Sequence, residues 1–148
     1  MKLFRTLSGE RGTMALLRWS NKYSVGVKAM DDQHINLIKR LNELHAVMLK
    51  GKAQDIAGPL FNKLTDYALK HFHDEEAMLE AAKYPGLAKQ QEEHHELYRK
   101  LGEFVACYEQ GDQTMYPELL RFLGNWLHVH MLTDDTQYTV WMNEHGVH

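Results

Sequence analysis

One cysteine, Cys107, and three prolines in 148 residues leave the chain without two common means of holding a fold. A single thiol cannot form an internal disulfide, so stability has to come from core packing, which is compatible with a reducing cytoplasm. Cys107 itself reads as a small hydrophobe near a helix face. No run approaches the roughly 20 apolar residues of a membrane span, and the opening "MKLFRTLSGERGTMALL" breaks with charge and glycine where a signal peptide needs a continuous apolar stretch. We therefore expect a cytoplasmic protein. The 17 basic and 20 acidic residues nearly balance, and neither sign gathers into a block that would attract nucleic acid or an anionic membrane. There is no nucleophile and base pair, no glycine-rich phosphate loop and no cysteine knuckle.

What the chain does have is ten histidines, and their positions carry the argument. The hydrophobic pattern has a helical period throughout, with no internal repeat. The first helix is expected from Asp31 or Asp32 to about Lys50, with His34, Leu37, Ile38, Leu41, Leu44 and Met48 on one stripe. The second is expected from about Pro59, tolerated in a first turn, to Ala82, where "YPG" stops it. Its stripe includes Leu64, Ala68, His71, Glu75 and Leu79. The third covers about 87–109 with Gln90, His94, Leu97, Leu101 and Phe104, and the fourth starts near Pro117 and presents Leu119, Leu120, Leu123, Leu127 and His130. The remaining tail has room for one more short helix. Residues 1–18 read as an N-terminal tail, with Met14 a possible second start, and 19–148 as one domain.

Short connections between long helices favour antiparallel neighbours, so the expected fold is all-α, an up-down-up-down four-helix bundle. That topology brings together the start of the first helix, the end of the second, the start of the third and the end of the fourth. His34, His71, Glu75, Gln90, His94 and His130 then all fall at one end of the core. A buried polar group without a partner costs about 1–3 kcal/mol, so four histidines and a glutamate facing one core region need something to bind. Imidazole and carboxylate ligands between helices point to a metal. Those donors suit iron, manganese, zinc or copper alike.

"VGVKAMDDQH" (25–34), "HFHDEEAM" (71–78), "YPGLAKQQEEHHELY" (84–98) and "WLHVHMLTDD" (126–135) resemble, in order and spacing, the hemerythrin family and its single-domain bacterial members. The resemblance covers about residues 19–135. It implies two iron ions in a non-haem, oxo- or hydroxo-bridged centre that binds O2 reversibly, held by five histidines and two bridging carboxylates. By resemblance His34 and His71 hold the iron that receives O2, Glu75 and Asp135 bridge, and His94 and His130 hold the other iron. Asp135 is chosen over its neighbour Asp134 because the family pattern is "H-x-x-x-x-D" counted from His130.

The third helix of the family carries "H-x-x-x-H", which falls on positions 90 and 94. Here the first is Gln90, either a weak amide ligand or a vacant position. The alternative register, Gln91 with His95, turns Leu97 and Leu101 away from the core. His45, His73, His128, His145 and His148 are expected off the site, Glu76 in solvent, and Trp19, Trp126 and Trp141 in an apolar wall. The function implied is O2 carriage, storage or delivery. An O2 or redox sensor acting on a separate protein, and a di-iron peroxidase, oxidase or nitric-oxide-handling enzyme, are the alternatives.

Overall fold

The structure, a computed structural model, describes residues 15–50 and 53–148, with the side chains of 53–56 left aside. Of the expected tail, residues 1–14 lie outside the described residues.

Four helices make the body: α1 (Lys28–Leu49), α2 (Ala53–Ala81), α3 (Leu87–Glu109) and α4 (Met115–Val129). Each packs on the next and α4 returns to α1, which closes an antiparallel four-helix bundle. A short 3₁₀ turn, Asn21–Tyr23, precedes α1. After α4 the chain makes a π turn (His130–Asp134), a 3₁₀ turn (Asp135–Tyr138) and a short helix α5 (Thr139–Glu144), the extra helix expected of the tail. No helix among the described residues is long and apolar enough to cross a membrane.

The stripes read from the sequence are the buried faces. Leu37, Leu41, Leu44, Leu64, Leu97, Leu101, Leu119, Leu123 and Leu127 share one core with Phe61 and Phe72. Two boundaries differ from expectation. α1 begins at Lys28, and Asp31, within its first turn, accepts hydrogen bonds from Ser24 Oγ (2.6 Å) and the Val25 amide (2.8 Å). That carboxylate therefore fastens the entering strand of chain instead of capping the helix. α2 begins at Ala53 and runs through Pro59. An interior proline costs about 3 kcal/mol, and the burial of Ala57 and Phe61 on either side of it offsets that cost. Leu16 and Leu17 are buried as well, their amides donating to Asn42 Oδ1 at 2.8 and 3.1 Å, so the packed region starts ahead of Trp19.

A second, smaller cluster of Val25, Val27, Met30, Leu79, Tyr138 and Met142 closes one end of the bundle. The polar residues of the stripes lie between this plug and the main core.

Candidate metal centre

Seven polar residues are buried among the described ones: His34, His71, Glu75, Gln90, His94, His130 and Asp135. Each long helix contributes. His34 comes from α1; His71 and Glu75, four apart, share a face of α2; Gln90 and His94 share a face of α3; and His130 and Asp135 follow α4. The last pair needs an explanation, because five residues of α-helix turn the chain about 500°, leaving the two side chains about 140° apart. The π turn removes the conflict: the Asp135 amide donates to His130 O, a five-residue hydrogen-bonded loop that returns Asp135 to the face of His130. Asp134, its neighbour, points instead at the outer edge of the His130 ring, with Oδ2 3.1 Å from Nδ1.

The two carboxylates are each divided between two sets of histidines. Asp135 Oδ2 lies 3.2 Å from His34 Nε2, and Asp135 Oδ1 lies 2.9 Å from His130 Nε2. Glu75 Oε1 lies 3.1 Å from His94 Nε2, while Oε2 is 3.9 Å from His71 Nε2 and 4.0 Å from His34 Nε2. His34 Nε2 and His71 Nε2 face each other at 3.1 Å. Two donors about 2.1 Å from one ion, at a right angle, stand about 3.0 Å apart, so these are separations that donors sharing an ion have. The atoms form two groups of suitable size, His34 with His71, Glu75 and Asp135, and Glu75 with His94 and His130.

Outer contacts orient three of the four imidazoles, those of His71, His94 and His130, so that Nε2 faces inward. His71 Nδ1 donates to Gln33 Oε1 (2.7 Å), and the Gln33 amide is held in turn by Nε2 donating to Asp74 Oδ2 (3.1 Å). His94 Nδ1 donates to Glu76 Oε2 (2.6 Å), and His130 Nδ1 to Glu93 Oε1 and Asp134 Oδ2 (3.1 Å each). With the proton on Nδ1, the Nε2 atoms of His71 and His94 offer a lone pair to the cluster, and His130 offers one once its ring is neutral. Phe72 packs on the His94 ring (4.2 Å between centroids), and Trp126 stacks on His130 (4.2 Å).

Burial, reinforced by His34, pushes the His71 imidazole well below its ordinary range. Burial also works against a charge on His130, but Asp135, Asp134 and Glu93 outweigh it and hold that ring well above its usual value. The same contest on Asp135 ends with its carboxyl lowered, burial being outweighed by His130 and His34. Glu75 Oε1, His94 Nε2, His130 Nε2 and both oxygens of Asp135 are buried without hydrogen-bond partners. Carboxylate oxygens and imidazole nitrogens facing one another in the core without partners fit a cationic occupant.

A family model described as the hemerythrin HHE cation binding domain matches residues 25–141. The chain belongs to the hemerythrin family. Similar relatives are a bacteriohemerythrin of Stenotrophomonas maltophilia (strain R551-3), 30% identical over 89% of this chain and 85% of the relative, and myohemerythrin-1 of Phascolopsis gouldii, 31% identical over 81% and 89%. A crystal structure of wild-type hemerythrin superposes with a TM-score of 0.81 at 26% identity, covering 86% of this chain and 98% of that one.

This hemerythrin chain brings His34, His71, Glu75, His94, His130 and Asp135 into one buried cluster, with Gln90 buried beside it. His73 and His95 are exposed and His45 is half-buried. His128 turns away to meet the Tyr23 hydroxyl at 2.6 Å. Glu76, expected in solvent, instead holds His94. Tyr138, Gln33 and Glu93 belong to the site's surroundings and gave no sequence signal of periodicity or charge pairing. Trp126 lies against the cluster, Trp141 packs on Tyr84 in the plug that closes its end, and Trp19 packs on Tyr23.

Proposed function

We propose that this non-haem di-iron O2-binding protein is a carrier, store or delivery module for O2 with a modified ligand set. His34 and His71 would hold one iron and His94 and His130 the other, with Glu75 and Asp135 able to offer an oxygen to each. The observation that carries this reading is the division of each carboxylate, one oxygen towards each set of histidines. Bound iron would supply the reversible affinity for O2; the chain supplies the imidazole and carboxylate ligands and an apolar wall of Phe72 and Trp126 against His94 and His130.

The modification is Gln90, which stands where the family pattern has histidine. Its Nε2 donates to the Asp134 carbonyl at 3.2 Å, and its Oε1 is buried without a partner. An amide oxygen is a weaker donor to iron than an imidazole nitrogen, so whether its oxygen or a water stood at that position, Gln90 would leave the iron beside it less tightly held and more readily oxidised than a full histidine set would.

Loading the protein anaerobically with iron, then recording iron per chain and the visible spectrum as O2 is admitted and removed, tests both statements. Two irons per chain and a new charge-transfer band that disappears when O2 is withdrawn are expected. One iron, or irreversible oxidation with no reversible band, would overturn the carrier reading. Gln90→His is expected to raise iron retention and slow autoxidation; identical behaviour would remove Gln90 from the account.

A further inference from the structure

A cavity of about 40 Å³ lies against the first turn of α3, lined by Tyr84, Lys89, Gln90, Glu93, Asp134 and Gln137. That is room for about two or three water molecules. Lys89 and Gln137 are exposed at its edge, Glu93 and Asp134 are half-buried, and Gln90 is buried at 4% exposure. The walls therefore run from solvent to a side chain one helical turn before His94, and the oxygen of that side chain lacks a partner. Glu93 and Asp134 also receive the His130 Nδ1 proton, so the cavity's lining reaches the outer edge of the His130 ring as well as the buried Gln90 amide.

We propose that this cleft is a gate through which water, or a neutral hydrogen-bonding molecule of similar size such as hydrogen peroxide, exchanges at the metal held by His94 and His130. The coordination position it serves is the one an imidazole at position 90 would fill. The inference rests on the metal centre proposed above. The ligand class follows from the lining. Two carboxylates against one ammonium, Lys89 Nζ lying 4.0 Å from Asp134 Oδ1, disfavour a small anion, whereas the carboxylates, amides and phenol offer a neutral hydroxylic molecule both donors and acceptors.

Water-proton relaxivity of the Mn²⁺-loaded protein reports exchangeable water on the metal without requiring O2 chemistry. Gln90→His is expected to lower relaxivity about twofold, from two open positions to one. Gln137→Trp, a change at an exposed site over the mouth, is expected to lower it in the same direction by slowing exchange, with manganese content unchanged. A loss with Gln90→His alone would mean water reaches the metal by another route and would overturn the gate. Manganese content of the same samples separates the two readings: one ion per chain overturns the two-metal site and the gate with it. Two ions, with relaxivity insensitive to either variant, overturn the gate alone.

Discussion

Glu76 Oε2 sits 2.6 Å from His94 Nδ1, although its sequence neighbour Glu75 is the residue whose carboxylate enters the cluster. Successive residues on α2 diverge by about 100°, so Glu75 faces the bundle interior while Glu76 reaches along the α2 and α3 seam to the outer edge of the ring. Removing such an outer partner typically lowers metal affinity about 10–100-fold. Glu76→Ala is expected to weaken metal binding in that range in a competition titration against a chelator, with Glu76→Gln in between. Unchanged affinity would mean that Phe72, packed on the ring, orients His94 by itself.

Tyr138 donates to Glu75 Oε2 at 2.8 Å, with both residues fully buried. Burial, then the Glu75 charge, raise the phenol well above its ordinary range, so it remains a donor at any physiological pH. A hydrogen bond to a charged group contributes about 1.5–3 kcal/mol. Tyr138→Phe should therefore lower the stability of the metal-free protein by about that much in urea unfolding. A loss below about 0.5 kcal/mol would mean that this hydrogen bond does not stabilise the metal-free fold.

These two contacts mark the limit of what was legible in the sequence. His34, His71, Glu75, His94 and His130 stood out because each interrupts an apolar stripe, and the bundle topology placed them at one end. Glu76, Gln33 and Tyr138 interrupt nothing: each sits off its element's stripe and acts across a seam, on a residue of another element. Such contacts depend on helix rotation and separation, which hydrophobic periodicity does not encode. Pro59 differs for a related reason, since local propensity marks it as a start while the burial of Ala57 and Phe61 around it accompanies a helix that begins ahead of it. Asp135 illustrates the reverse: its spacing from His130 is wrong for a regular helix, and the family resemblance selected it before the π turn explained it.

The depressed Asp135 carboxyl makes a pH prediction for the metal-free protein. A carboxyl lower in the folded than in the unfolded state stabilises the fold above its unfolded value of about 3.9. That stability is lost as pH falls through the depressed folded value. His71, also lowered, acts at higher pH: below about 6.5 the unfolded chain takes a proton that the folded one refuses, so stability declines on acidification there too. His130, raised, opposes this, its contribution being complete below about 6.5 and lost as pH rises through its folded value. Asp135→Asn is expected to flatten the decline below about pH 4 in urea midpoints. An equally steep decline would assign the acid sensitivity to other carboxyls.

Gly86 supports the site from a distance. Its backbone, φ −91° and ψ 11°, is open to any residue, yet a Cβ there would lie 2.6–2.8 Å from atoms of the Tyr84 ring. Tyr84 packs edge-on against Tyr138 at 6.1 Å and Trp141 at 6.3 Å, so displacing it loosens the wall behind the phenol that holds Glu75. Gly86→Ala should cost about 1–3 kcal/mol through overpacking. In a Tyr84→Ala background the same change should cost less than about 0.5 kcal/mol, because the clash is gone, and a double-mutant cycle measures that coupling. Additive losses would place the cost in the start of α3 instead of at the ring, and would separate Gly86 from the metal centre.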